Sequence, residues 1–213
     1  MPAAPVATPP RAAELYVRPH TPLVPSLVLS VAGPGTEYTI DPVSLRAVAI
    51  DLAAMHQQAA ELLRSSQMDQ DIRDAASKKS MAAFMLATAG QANSAETLLR
   101  DAIRVQAVNS ARSALVSRLR LVQVLQELDK PEDALTEAKA AHAIAGSDES
   151  LADLRDFVLH HLGKALLEAG QHMEGVEYLY EALRLRQAKA DEQLILSTQM
   201  ALDVALRVQQ TTP

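Results

Sequence analysis

Leu162-Gly163-Lys164-Ala165-Leu166-Leu167-Glu168-Ala169-Gly170-Gln171-His172-Met173-Glu174-Gly175-Val176-Glu177-Tyr178-Leu179-Tyr180-Glu181-Ala182-Leu183-Arg184-Leu185 decides the fold. It holds two helical halves parted at Gly170-Gln171-His172, with Leu166 before the breaker and Gly175, Leu179 and Ala182 after it. The same spacing occurs twice upstream. Leu86, Gly90, Ala95, Leu99 and Ala102 form one copy, and Leu125, Asp129, Ala134, Ala138 and Ala141 another. Bulky and small residues in a fixed order around a breaker describe paired helices that pack closely. The copies recur about every 40 residues, longer than the ~34 of the commonest helix-turn-helix repeat.

This order resembles the tetratricopeptide repeat. The third copy is the most complete because it keeps the Leu162-Gly163 pair, where a missing side chain lets two helices approach. Ala82-Ala83 stands there in the first copy, whereas Leu121-Val122 in the second is a departure. No copy has the family's early tryptophan or its closing proline. The resemblance implies an all-α fold, a right-handed α-α superhelix. Units are expected at about 76–109, 115–148 and 156–189, with a capping helix over 191–210. Together these form a repeat domain over 42–210, preceded by a proline-rich arm over 1–41.

Nine of the eleven prolines lie within residues 1–42, and proline neither donates a backbone hydrogen bond nor tolerates a helix interior. Met1 to about Arg11 is rich in Ala and Pro and reads as disordered. Ser26–Val31 and Tyr38–Ile40 are two aliphatic runs around Gly33-Pro34-Gly35, the signature of a short β-hairpin. Such a hairpin needs support, which the helices or another copy would supply. Asp41-Pro42 reads as a helix start. The stripe Val48, Leu52, Met55, Ala59 and Leu62 then indicates a helix over about 43–64. After a polar break at Ser65–Asp71 a second helix follows over 71–88, although one long bent helix would also fit. Asn93 with Glu96 and Ser150 with Asp153 are spaced as capping boxes, and Pro131 suits a first helical turn.

Composition narrows the function. Apolar residues make up 48 % of the chain but aromatics only 3 %, as close Ala/Leu helix packing requires. A net charge of −6 argues against nucleic acid. No apolar run is long enough for a membrane span, and the opening Met1–Pro10 has neither a basic start nor an apolar block, so no secretory leader is expected. A bacterial, cytoplasmic location is expected. The absence of cysteine removes thiolate metal sites. His160 and His161 point about 100° apart on a helix, so no metal is expected there. Gly33-Pro34-Gly35-Thr36 lacks the Lys-Ser/Thr ending of a phosphate loop, and no nucleophile elbow or metal-protease motif occurs. No catalytic residue and no cofactor are therefore assigned, and no enzyme is expected.

In the family, the first helix of each unit lines a concave groove that holds a peptide or helix. Carried onto this sequence, the resemblance implies Ser77, Ser80, Phe84 and Thr88 from the first copy. Val116, Leu119, Gln123, Gln126 and Glu127 come from the second, and Phe157, His160, Lys164, Leu167 and Glu168 from the third. The members that bind chaperone tails clamp a carboxylate with Lys and Asn. Here those places hold Ser80, Phe84, Val116 and Arg120, so that clamp is absent. The expected partner is another protein or peptide, bound by an adaptor or scaffold. The alternatives are a ligand- or peptide-responsive regulatory module, and a homo-oligomer in which the arm covers another copy's groove.

Overall fold

The computed structural model describes residues 27–211 as eight α-helices preceded by a small sheet. The helices are α1 Leu52–Met68, α2 Ile72–Thr88, α3 Ala92–Gln106, α4 Ala111–Glu127, α5 Pro131–Ser147, α6 Arg155–Glu168, α7 His172–Lys189 and α8 Glu192–Thr211, with a 3-10 turn over Glu149–Leu154. Each helix packs on the next, and α2, α4, α6 and α8 also touch in succession. Those four make the inner row of an α-α solenoid, and α1, α3, α5 and α7 the outer row. The N-terminal residues read as disordered lie outside the described part.

The three copies end their first helices alike. Gly90, Asp129 and Gly170 all adopt positive φ, at 86°, 55° and 77°. The next amide bonds back five residues in every case: Gln91 N to Leu86 O, Lys130 N to Leu125 O and Gln171 N to Leu166 O, at 2.7, 3.0 and 2.8 Å. This is the left-handed stop that closes a helix and satisfies its last carbonyls. The aligned apolar positions are buried, with Ala95, Leu99, Leu125, Ala134, Ala141, Leu166, Leu179 and Ala182 all at 0 % exposure. Where α6 crosses α7, Gly163 and Gly175 bring two backbones together. A Cβ on Gly163 would meet Leu179 Cγ at 2.7 Å and Gly175 O at 2.9 Å.

The N-terminal end differs from the sequence reading. Three strands form an antiparallel meander, β1 Val28–Ser30, β2 Glu37–Ile40 and β3 Ala47–Ala49, in the order β1-β2-β3. The hairpin is therefore extended by a third strand, and helix α1 starts at Leu52 rather than near residue 43. Asp51 caps α1 by accepting from Ala54 N, while Asp41 caps only the turn, accepting from Val43 N and Ser44 N. Val48 lies on β3 and is 47 % exposed, so it is not part of the helical stripe. The chain breaks at Asp69–Asp71, with Asp71 accepting from Arg73 N, so two helices stand where a single bent one was an alternative.

Neither expected capping box forms. Gln91 precedes α3 without a side-chain cap, because the left-handed stop already orients the backbone. Glu96 pairs instead with Arg100 and Lys130 at 2.9 and 2.7 Å. Asp148, not Ser150, caps the 3-10 turn. Pro131 does open α5.

Candidate functional site: the concave face and the meander upon it

Side chains alternate across a strand, and this meander uses one face against the helices. Leu27, Leu29, Ile40 and Leu45 join an apolar cluster with α7 and α8, while Val31, Tyr38 and Ala49 pack on the cluster of α1 to α6. The other face carries Val28, Thr39 and Val48, which the register places in one row.

Specific contacts tie the meander to the inner helices. Tyr38 meets Phe84 edge-to-face, with ring centroids 5.5 Å apart. Lys164 Nζ donates to Leu45 O at 2.8 Å. Arg46 and Glu168 form an ion pair at 2.6 Å. Leu45 holds φ 58°, an uncommon conformation for a large side chain, between Asp41 and Arg46, whose backbones are bonded to each other. The concave face is thus partly covered by the chain's own residues.

The residues expected to line the groove divide accordingly. Phe84, Leu119, Gln123 and Phe157 border a cleft of about 340 Å³ together with Val116, Arg120 and His161. Ser30, Val31 and Tyr38 of the meander form its other wall. Phe84, Gln123, Gln126 and Lys164 border a narrower cavity beneath Leu45 and Arg46. Gln126 is 2 % exposed, and neither of its amide atoms has a hydrogen-bond partner. Ser80 is buried, accepting from Arg120 Nη1 at 2.8 Å and lying 2.7 Å from Ser117 Oγ. Glu168 sits at the rim with Arg46.

His160 and His161 are both buried, so neither projects freely into the groove. His160 Nδ1 lies 3.3 Å from Thr198 Oγ1, whereas His161 Nδ1 has no partner. Burial, reinforced by nearby cations, holds both imidazoles well below their ordinary pKa and keeps them uncharged. Burial also pushes the Lys164 amine down to about 8, although Glu168 and Glu127 oppose it. One turn before His160, the buried Asp156 accepts from the buried Arg186 and from the more exposed Lys189, which holds α6 to α7. Among the described residues, no three metal-ligating side chains converge.

His161 and the meander's Tyr38, Leu45 and Arg46 belong to this face but were not among the expected groove residues, and Arg120 was named only as the occupant of a clamp position, not as a groove contact. A signal for Arg120 existed: it falls four residues after Val116 and three before Gln123, on the same helical side. Alternation through Leu27-Val28-Leu29-Ser30-Val31 likewise marks one apolar face.

Comparison with solved structures fits this geometry. The chain is similar to a protein from Podosopora anserina described as a kinesin light chain with nearly identical TPR-like repeats. The TM-score is 0.52 and the identity 19 %, over 75 % of this chain and 78 % of that one. A variant of that protein with one residue substituted matches with a TM-score of 0.53 over 75 % and 77 % of the two chains, again at 19 % identity. The fold is a TPR-like repeat solenoid. No family model matches the sequence, and no curated protein does. Among the described residues, no helix of the TPR-like domain is long and apolar enough to cross a membrane.

Proposed function

We propose that this TPR-like chain is a non-enzymatic protein-interaction scaffold of the cytoplasm, whose partner segment docks along the concave face. One observation carries the reading: the meander leaves a cleft of about 340 Å³ open, walled by Val116, Leu119, Phe84 and Phe157. An extended or helical segment inserting apolar side chains there would gain affinity from burial, with Gln123 as a polar point of selectivity. Lys164, Gln126, His160, Ser80 and Glu168 serve the floor and the attachment of the meander. The test compares proteins captured from native lysate by the wild type and by a Val116→Glu, Gln123→Arg variant, with Val108→Glu as a remote control. Val108 is 84 % exposed. Partners lost only with the cleft variant support docking there; identical capture by all three sinks it.

A second reading, a regulatory module that responds to a small ligand, is favoured by the cleft's electrostatics. Its lining contains one formally charged group, Arg120, and no carboxylate.

A further inference from the structure

The inference that follows rests on the second reading and specifies its ligand. Arg120 is half-buried in a chain of net charge −6. Its guanidinium donates to Ser80 Oγ at 2.8 Å and lies 3.6 Å from Met81 Sδ. It forms no ion pair among the described residues, and burial lowers its pKa with only Tyr38 opposing. A desolvated cation without a carboxylate is costly, and arginines in such places ordinarily find one. Every other arginine from Arg100 to Arg118 has one: Arg100 pairs with Glu96, Arg104 with Asp101, Arg112 with Asp153 and Arg118 with Glu137.

His161 borders the same cleft, and its Nδ1 is buried without a partner. A cation without an ion pair and a partnerless imidazole nitrogen thus lie on one space otherwise lined largely by apolar residues, among them Phe84, Val116, Leu119 and Phe157. Its volume of about 340 Å³ lies at the small end of pockets that enclose organic ligands. The guanidinium fork matches a planar carboxylate in two parallel hydrogen bonds. One cation among apolar walls calls for one negative charge on an apolar body, which disfavours a phosphate carrying nearly two charges.

We propose that this cleft binds a small monocarboxylic acid with an aromatic or aliphatic body, its carboxylate on Arg120 and its body against Phe84, Leu119 and Phe157. The test titrates isotopically labelled full-length chain with 3-phenylpropionate and with its neutral isostere 3-phenylpropanamide, reading amide chemical shifts. Saturable shifts confined to α2, α4, α6 and the meander are expected for the acid, with the amide at least about tenfold weaker, as loss of a charge-assisted pair predicts. Arg120→Gln should weaken the acid by a similar factor, and Arg120→Lys should restore part of it. The comparison of acid with amide needs no variant, so it stands even if Arg120→Gln fails to fold. Equal binding of acid and amide overturns the carboxylate assignment but leaves a small-ligand module intact. No saturable binding of either overturns both. Inorganic phosphate displacing the acid at equal concentration overturns the chemical class. A capped peptide carrying Glu beside Phe that binds at least about tenfold tighter than the acid assigns the cleft to a protein segment and overturns the proposal.

Discussion

A methyl group on Gly163 would collide with the Leu179 side chain and with a backbone oxygen of Gly175. Neither helix can yield without losing the other contacts between α6 and α7. Gly163→Ala should therefore destabilise the fold by about 1–3 kcal/mol, the range of overpacked cores. Gly146, near the end of α5, has nothing within 4 Å of an added Cβ. Gly146→Ala should instead stabilise by about 0.5–1 kcal/mol through helix propensity. Urea unfolding of both variants checks the pair, and the same sign for both would refute the packing argument.

Lys164 offers a second test on a single side chain. Its ordinary pKa of 10.5 falls to about 8 in the fold. Between those values the unfolded chain binds the extra proton, so stability rises as pH rises through this window. Below about pH 8 the cost of the buried ammonium is fully present, about 3 kcal/mol. Lys164→Met has no such titration, but leaves Leu45 O without its donor. The stability gap between wild type and Lys164→Met should shift in favour of the wild type by about 2–3 kcal/mol from about pH 7 to pH 10. Denaturant unfolding at both values measures it, and a gap that does not move would contradict the assigned burial.

At the scale of elements, the repeat helices were readable because their signals are local. A breaker, a small residue and a large one at fixed spacing reflect helix ends and helix contacts, and both obey short-range geometry. The second breaker is the informative exception, since Asp129 adopts φ 55° where the other copies use glycine. A side chain in the left-handed region is strained by about 1 kcal/mol. Asp129→Gly should recover about 0.5–1 kcal/mol, visible as a rise in thermal midpoint; a fall would show that the carboxylate has a stabilising role. Strand β3 was unreadable for the converse reason. Its turn is made by Leu45 at φ 58°, a residue type that signals no turn. Val48, four residues before Leu52, then looks like the start of a helical stripe. The groove suffered the same way: the family resemblance named its lining, but nothing in residues 76–189 announces a meander lying on it.

For the molecule as a whole, the solenoid is a row of nearest-neighbour contacts, and the meander is the only described element bonded to residues far along that row. Solenoids open from weakly held parts while their middle persists. The small sheet has two outer strands and rests on a limited set of anchors, so its amides should exchange through openings of lower free energy than those of α4. Native-state hydrogen exchange tests this. Protection of β2 equal to that of α4 would mean that meander and solenoid open as one unit. Such an outcome would also bear on the proposed cleft, because one of its walls is the meander.

The order of synthesis gives the covered groove a further meaning. Leu45 waits for Lys164, 119 residues later, and Val28 for Gln193, 165 residues later. At about 5–20 residues per second, the ribosome takes roughly 10–30 s to supply the last of these supports. Throughout that interval the nascent chain presents its apolar strands before their resting place exists. The meander emerges before every described helix and is thus the last of these elements to be housed, and chaperone capture or strand pairing between neighbouring nascent chains would act in that gap.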